Sequence, residues 1–316
     1  MLSNRIRYSV KGGLKKGWEG FVWMAKIIIP VSFLTALLEY SGLLYQLNSV
    51  LEPVMDVLHL PPVASLPLVV GMLTGIYTAL AAMVVLPLTA EEMTLIAVFV
   101  MISHNLIQEA IIQAKSGLGA TKATLVRLTA SVITVIIVAQ FLKGDAQADG
   151  ASVGSLWIAR PLLSVLQAWF LGTLLLFVKI FFIIIAIMIV METMRNYRWI
   201  DSMVTVLSPF MRVLGLQKKV GMLWLTAVVF GLSYGATVIV SDARNGSFTQ
   251  TELESLHISI GINHAVIEDP ALFLSLGLNP FWLWAPRFIA AIIAVHIFSL
   301  WQTIRRSRGS QPAVKP

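Results

Sequence analysis

Long apolar stretches alternate with short polar segments along the whole chain. The runs Phe21–Leu38 and Leu174–Met191 each approach the roughly 20 apolar residues that an α-helix needs to cross the hydrocarbon of a bilayer. The pattern therefore predicts an all-α integral membrane protein. The apolar stretches lie at 20–40, 61–89, 92–114, 123–142, 174–192, 220–241, 253–275 and 281–302.

The polar residues associated with these stretches recur in the same order in the second half of the chain. At an offset of 153 residues, Lys26 and Glu39 fall on Lys179 and Glu192; at 156, segment 51–60 falls on 207–216 with six of ten residues identical. At 160, identical residues coincide: Gly71, Gly75, Glu92, His104, Gly117 and Arg127 with Gly231, Gly235, Glu252, His264, Gly277 and Arg287. Charged residues rarely coincide by chance in so apolar a chain, so we predict two homologous units, near 21–142 and 174–302.

The charges of equivalent loops predict that the two units are inverted in the membrane. The loop after the first stretch of unit one has Glu52 and Asp56 and no Lys or Arg from 41 to 62. Its counterpart in unit two is basic, and positive loops remain in the cytoplasm. Equivalent loops then lie on opposite sides. The basic residues of the counterpart are Arg195, Arg198, Arg212, Lys218 and Lys219.

Inversion requires an odd number of crossings per unit, and the second stretch is the best candidate for one that does not cross. It is bounded by Pro61 and Pro87 and interrupted by Gly71 and Gly75. We expect a re-entrant hairpin with its tip near Gly71–Thr78, and another with its tip near Gly231–Thr237. Each unit would then comprise three transmembrane helices and one hairpin, accompanied by interfacial amphipathic helices.

These expectations divide the chain into five parts. They are a cytoplasmic or interfacial segment 1–19, repeat one at 20–142, a linker with an interfacial helix at 143–173, repeat two at 174–302, and a basic cytoplasmic tail 303–316. Both termini are expected in the cytoplasm, and the protein in the cell (inner) membrane as a multi-pass protein. The N-terminal apolar run is longer than that of a signal peptide and is expected to remain as an anchor.

Composition agrees with the bilayer and excludes several classes of function. The chain is 57% hydrophobic and 12% charged, about half the charged fraction of a soluble domain. It has no cysteine, which excludes disulfides and thiolate sites. Although the net charge is +7, the basic residues cluster beside apolar stretches without a recognition motif, so no nucleic-acid partner is expected.

The hairpin tips are the first candidate binding region. Interrupted helices at membrane depth present unpaired backbone groups to a substrate, although G-x-x-x-G also serves simple helix packing. Two copies beside hydroxyl groups favour a site. The candidates are Gly71, Thr74, Gly75, Tyr77 and Thr78 in unit one, and Gly231, Ser233, Tyr234, Gly235 and Thr237 in unit two.

The third stretch of each unit provides ionisable groups, which are costly in a membrane unless they face a partner or a cavity. In a continuous helix, His104 would share a face with Gln108, and His264 with Glu268, since each pair is four residues apart. We expect substrate contacts from His104, Asn105, Asn263 and His264, and ion coupling at Glu109, Glu268 and Asp269. The alternatives are a structural role for each histidine, or a metal site formed by His104, His264, Glu109 and Asp269.

The chain resembles the gate-domain, or nucleoside-recognition-domain, membrane proteins. The resemblance rests on the G-x-x-x-G segments 71–75 and 231–235 and on the Ile-x-His-x-x-Ile-x-acid segments 102–109 and 262–269. The same gate unit is found in concentrative nucleoside transporters and in the membrane part of ferrous iron transporter B. The resemblance implies a transporter-like scaffold, but the chain has no Gly-x-x-x-x-Gly-Lys-Ser/Thr motif and so lacks the GTPase signature of the iron transporter.

Three functions follow from these features. The first is a secondary, alternating-access transporter of a small polar solute, nucleoside-like in one reading. The second is a divalent-metal permease, since imidazole and carboxylate suit borderline metals. The third is a non-transporting membrane assembly protein. No enzyme is expected, because no His-Glu-x-x-His or nucleophile-elbow motif is present. We expect no cofactor, and partners limited to the lipid bilayer, the solute or ion, and optionally a second copy of the chain.

Overall fold

The computed structural model describes residues 2–43, 48–142, 161–197, 210–244 and 248–309. Within these ranges the secondary structure is helical and includes no strand. The helices are α1 Leu2–Tyr40, α2 Asn48–Val57, α3 Ser65–Thr74, α4 Ile76–Met83, α5 Ala90–Ser103, α6 Leu106–Lys115, α7 Ala120–Leu142, α8 Leu162–Asn196, α9 Gly221–Arg244, α10 Gln250–Ile262, α11 Glu268–Leu274 and α12 Pro280–Gly309.

Five helical segments are long and apolar enough to cross a membrane. They are Ile6–Tyr40, Ala90–Lys115, Ala120–Leu142, Leu162–Met194 and Pro280–Arg305, and they confirm an all-helical membrane protein. A sixth candidate is the pair Leu51–Val57 and Pro62–Thr74, bent by 84°. The predicted stretch 253–275 is divided between α10 and α11, and neither is among the described helices that are long and apolar enough to cross a membrane.

Helices α1 and α8 are the longest in the structure and pack against each other in antiparallel orientation. Ser9 contacts Asn196 near one end of the pair, and Ser32 contacts Trp169 near the other. The close approach depends on Gly13 and Gly17: a Cβ at Gly13 would lie 2.5 Å from the Cα of Ile189. Small residues four apart allow helix backbones to pack this closely in membranes.

The helix boundaries differ from the predicted domain boundaries in three places. Helix α1 continues without a break through the boundary between 1–19 and 20–142, and α8 continues through the boundary at residue 173. Helix α12 continues through the boundary between 174–302 and 303–316. Residues 162–173, which were predicted to belong to the linker and its interfacial helix, are the first part of α8. The linker at 143–160 and the basic loop at 198–209 lie outside the described residues.

The second apolar stretch turns back on itself at Gly75. The hydroxyl of Thr78 lies 3.2 Å from the carbonyl oxygen of Val70, eight residues earlier. Eight residues of straight helix would separate these residues by about 12 Å. Gly75 has φ 117° and ψ −179°, a conformation that strongly favours glycine. The break therefore lies inside the predicted tip Gly71–Thr78.

In the second unit the break is at Gly231, which has φ 80° and ψ 165° inside α9. It follows the break at Gly75 by 156 residues, whereas the ungapped repeat at offset 160 pairs Gly231 with Gly71. The pairing at offset 160 therefore does not align the two helix breaks, because Gly71 lies within α3 and Gly235 within α9. The four additional residues of the second unit come after the break, before Thr249.

The third stretch is not one continuous helix in either unit. Helix α5 ends at Ser103, Asn105 adopts a left-handed conformation with φ 47°, and α6 begins at Leu106. A second break separates α10 from α11, where Ala265 has φ 45°. The prediction that His104 shares a helix face with Gln108, and His264 with Glu268, is therefore wrong.

Candidate functional site: a buried histidine pair

The two helix breaks bring His104 and His264 together inside the protein. A capping box fixes the start of each preceding helix, formed by Thr89 with Glu92 in α5 and by Thr249 with Glu252 in α10. Each histidine then follows the last turn of its helix. The two Nε2 atoms lie 3.2 Å apart, and both side chains are buried.

The hydrogen bonds of the rings determine which nitrogen carries the proton. The Nδ1 of His104 lies 3.1 Å from the carbonyl oxygen of Val100, and the Nδ1 of His264 lies 2.7 Å from that of Ile260. A carbonyl oxygen only accepts hydrogen bonds, so each Nδ1 is the donor. In the neutral rings, both Nε2 atoms are therefore acceptors, and they face each other.

Glu109 adds a third acceptor to the same point. Its Oε1 lies 3.2 Å from the Nε2 of His104 and 3.2 Å from the Nε2 of His264. The break before α6 allows this contact, because it places Glu109 in the first turn of a new helix directed back toward His104. His104, Glu109 and His264 together are called the histidine cluster below.

Two buried arginines support the histidine cluster. Arg127 Nη1 lies 2.8 Å from Glu109 Oε2, while its Nε and Nη2 donate to the carbonyl oxygens of Ile102 and His104 at 2.8 and 2.7 Å. Arg287 Nη2 donates to the carbonyl oxygen of His264 at 2.8 Å. Each arginine thus satisfies carbonyl groups freed by a helix break, and its charge complements the negative end of that helix.

The remaining predicted ion-coupling residues lie beside the cluster. Asp269 is buried, and its Oδ2 lies 3.9 Å from the Nε2 of His104. Glu268 is half-buried and accepts a hydrogen bond of 2.6 Å from the hydroxyl of Tyr77. Both carboxylates are in the first turn of α11, where the helix dipole stabilises negative charge.

The tip of the first hairpin lies directly against the break between α5 and α6. The backbone N–H of Asn105 donates to the carbonyl oxygen of Gly71 at 3.2 Å. A Cβ at Gly75 would lie 3.0 Å from the amide of Asn105. The hydroxyls of Thr74 and Thr78 are 2.7 Å apart. Of the predicted tip residues in unit one, Thr74 is exposed, Tyr77 half-buried and Thr78 buried.

The part of α9 before its break at Gly231 makes the corresponding backbone contact. The N–H of Ala265 donates to the carbonyl oxygen of Ala227 at 3.3 Å, and that of Val266 donates to Val228 at 2.8 Å. Asn263 is buried next to His264. The side chains of Ser233, Tyr234 and Thr237, and the surroundings of Gly235, lie outside the part of the chain whose side chains are described.

The histidine cluster is suited to hold a cation. Three acceptor atoms that lie 3.2 Å from one another repel unless a proton or a metal ion lies between them, and that spacing leaves no room for a larger group. Histidines that bind metals also commonly donate their other N–H to a backbone carbonyl, as both do here. The cluster can therefore hold a shared proton or bind one small cation.

Two buried polar residues beside the cluster were missed by the sequence analysis. Gln113 and His257 are both fully buried. The available signal was their spacing: Gln113 is one helical turn beyond Glu109, and His257 is two turns before His264. Neither residue has a polar counterpart in the other unit, so a search by repeat could not reveal them.

The fold and the buried charged groups define an all-helical membrane protein with discontinuous helices. Residues 21–142 match the family model Gate, described as nucleoside recognition. This match confirms, for residues 21–142, the resemblance inferred from the motifs, and the matched family suggests a role related to membrane transport. The chain is also 27% identical over 311 residues to the uncharacterized membrane protein YvoD of Bacillus subtilis (strain 168), covering 96% of this chain and 98% of that protein. No solved structure matches the chain.

Proposed function

We propose that the protein is a proton-coupled secondary transporter of a small polar solute, in which the histidine cluster holds the coupling proton. The observation that carries this proposal is the convergence of three buried acceptor atoms, the Nε2 of His104, the Nε2 of His264 and Oε1 of Glu109, at 3.2 Å. A proton placed there makes one imidazole a donor to the other two acceptors and removes their repulsion.

The charges around the cluster favour a proton over a divalent ion. Glu109 and Asp269 balance Arg127 and Arg287 when both histidines are neutral, and all four side chains are buried. A proton adds one net charge to this site, whereas a divalent ion adds two. Because uncompensated charge is costly at membrane depth, the smaller charge is the better fit.

Alternating access in this proposal depends on two inverted units, 20–142 and 174–302. The antiparallel packing of α1 and α8 supports inversion, since these helices contain the first apolar stretch of each unit. Two such units give two nearly equivalent states, one open to each side. Solute would bind at the hairpin tips beside the cluster, where Thr74, Tyr77 and Asn105 offer hydrogen-bonding groups.

We place the protein in the cell membrane with both termini in the cytoplasm. The contact between Ser9 and Asn196 brings the basic start of α1 to the same end as the basic loop after α8. Lys122 lies 5.7 Å from the ring of Trp301, which brings the start of α7 to the end of α12, near the basic C-terminal tail. Positive charge on these ends is typical of the cytoplasmic side.

Reconstituted liposomes provide the test. The purified protein is incorporated into liposomes that contain a pH-sensitive dye, and a purine nucleoside, a pyrimidine nucleoside, amino acids and small organic anions are added in turn. We expect one class of solute to cause acidification of the lumen, and the variants Glu109→Gln and His104→Ala/His264→Ala to abolish it. His296→Ala, which changes an exposed histidine, is the control. If no solute moves under any proton or sodium gradient, the proposal fails.

The second candidate is a divalent-metal permease, which the spacing of the same three side chains favours. Among the described residues, the ligand atoms of these three side chains lie close enough together to hold a metal ion. Titration of the detergent-solubilised protein with Zn²⁺, Mn²⁺ and Fe²⁺ distinguishes the two. Binding that is lost in His104→Ala/His264→Ala supports the permease, and equal binding by the wild type and the double variant rejects it.

A further inference from the structure

Helices α6 and α10 form a seam that leads from the histidine cluster toward the turn at Ser116 and Gly117. The two helices run antiparallel, because residues nearer the C-terminal end of α6 and its turn contact residues nearer the N-terminal end of α10. The contacts are Glu109 Oε1 with His264 Nε2 at 3.2 Å, Gln113 Nε2 with the Cβ position of Gly261 at 3.1 Å, and the carbonyl oxygen of Ser116 with His257 Nε2 at 3.0 Å.

Polar atoms in this seam have no partner within the described part of the chain. Ser116 O only accepts, so His257 carries its proton on Nε2, and Nδ1 is left as a buried acceptor without a donor. Both amide atoms of Gln113 are also buried and unpaired. Buried polar groups of native proteins are almost always satisfied, and ordered water satisfies those that protein atoms do not reach.

The equivalent seam on the other side of the cluster is apolar at the positions that match Gln113 and His257. Helix α11 packs there against α5, and Asp269 contacts His104 in place of the contact between Glu109 and His264. At an offset of 160 residues, Gln113 corresponds to Phe273, and His257 corresponds to Ala97. Phe273 and Ala97 are both fully buried. Water that Gln113 and His257 retain in the first seam therefore has no hydrogen-bonding side chain to retain it at the two matched positions of the second.

We propose that the seam between α6 and α10 is a hydrated passage that connects the histidine cluster to one face of the membrane only. Gln113 and His257 are positioning residues that hold its water. The passage has Arg127 at its inner end and the ion pair Lys122–Glu254, 3.0 Å long, near its mouth. The basic residues Lys115 and Lys122 assign this mouth to the cytoplasm. The passage serves as a route for the coupling proton only within the proposed function. Its hydration from one face of the membrane does not depend on that function.

The absence of cysteine from the chain makes a direct accessibility test available. Single variants Gln113→Cys and His257→Cys place a thiol in the seam, and Phe273→Cys and Ala97→Cys place one at the matched apolar positions. Silver ions in a chloride-free buffer reach a thiol through a passage as narrow as one water molecule. They are added to right-side-out or inside-out vesicles, and the unreacted thiols are then labelled with a fluorescent maleimide after denaturation.

We expect silver to react with both seam thiols at least about tenfold faster than with the matched thiols, because a thiol in apolar surroundings stays protonated and unreactive. The reaction with silver protects a thiol from the later maleimide labelling. Protection should require silver on the cytoplasmic face. The passage is refuted if neither seam thiol is protected, or if both pairs react equally. Only variants that retain the elution profile and melting temperature of the parent are compared, and the two seam positions serve as independent probes.

The result separates the passage from the transport function. One-sided silver protection without any solute-driven proton movement retains the passage and rejects the transporter. Transport without protection retains the transporter and rejects the passage. Within a functioning transporter, Gln113→Phe, which copies its counterpart Phe273, should slow proton entry from the cytoplasmic face, whereas His296→Ala should not.

Discussion

The Nε2 atoms of His104 and His264 face each other at 3.2 Å, although the two residues are 160 positions apart in the chain. Their surroundings are equivalent: each Nδ1 faces the carbonyl oxygen four residues earlier, and each backbone carbonyl accepts a hydrogen bond from an arginine of the fourth apolar stretch of its own unit. The equivalence ends at the carboxylates. Glu109 reaches both rings, whereas the shorter Asp269 approaches only His104, at 3.9 Å.

The first prediction concerns the ion pair beneath the histidines. Glu109→Gln removes the anion 2.8 Å from Arg127 and leaves a buried guanidinium without its partner. Removing one member of a buried pair costs about 3–5 kcal/mol, so thermal unfolding in detergent should occur at a clearly lower temperature. Glu19→Gln, at an exposed residue of α1, should change the free energy of unfolding by less than about 1 kcal/mol. Equal melting temperatures for the two variants would contradict the buried ion pair.

The second prediction concerns the crossing of α1 and α8. In Gly13→Ala the new methyl group would meet the Ile189 backbone at 2.5 Å, so the two helices must separate. Gly20, on the same helix, has no atom within 4 Å of its Cβ position. Gly20→Ala should therefore be neutral or raise stability by up to about 1 kcal/mol through helix propensity. Only Gly13→Ala should lower the melting temperature, and a similar decrease for both variants would exclude close helix packing at Gly13.

The apolar stretches predicted the helical membrane fold, the helix breaks at Gly75 and Gly231 lie within the predicted tip regions, and the repeated polar residues included those of the histidine cluster among the candidates. They did not predict the break at Asn105. A helix can break where other groups form hydrogen bonds with the backbone N–H and C=O groups that the break frees. Here those groups are distant in sequence: Gly71 accepts from the Asn105 N–H, and Arg127 donates to the carbonyls of Ile102 and His104. A local pattern of residue types does not predict hydrogen-bond partners that are distant in sequence.

The choice between Gly71 and Gly75 as the turning point shows the same limit. Both are glycines in one motif, and local propensity does not distinguish them. The structure uses Gly71 for packing, since a Cβ there would lie 3.0 Å from Ala79 and Val100, and it uses Gly75 for the turn. Only the packing of the two hairpin arms against each other and against α5 determines this assignment.

The third prediction tests that turn. Gly75→Ala places a side chain at φ 117° and within 3.0 Å of the Asn105 amide, so the variant combines backbone strain with a steric conflict. Strain at such a backbone position costs about 1–3 kcal/mol. Gly119→Ala, at a glycine with open space and no left-handed φ, is the matched control. We expect only Gly75→Ala to lower the melting temperature, and an unchanged value would refute the turn at this residue.

The fourth prediction concerns the link between the first hairpin and α11. Tyr77→Phe removes the hydroxyl that donates to Glu268 at 2.6 Å and retains the ring that packs against Trp23. A hydrogen bond to a charged group is worth about 1.5–3 kcal/mol, so the variant should unfold at a lower temperature. Tyr8→Phe, at an exposed tyrosine, should leave the melting temperature unchanged. Equal behaviour of the two variants would mean that the bond to Glu268 contributes no stability.

The fifth prediction tests the inversion of the two units. Asp56 and Arg212 are exposed residues in equivalent connectors, and Lys11 is exposed near the start of α1. Each is replaced in turn by cysteine in the otherwise cysteine-free chain and treated in intact cells with a membrane-impermeant maleimide. If the units are inverted, Asp56→Cys should react from outside, while Arg212→Cys and Lys11→Cys should react only after the membrane is opened, because basic connectors remain in the cytoplasm. Reaction of Asp56→Cys and Arg212→Cys from the same face would instead make the units parallel. Alternating access by exchange of two mirrored halves would then have no structural basis, even though the histidine cluster and its arginines would be unaffected.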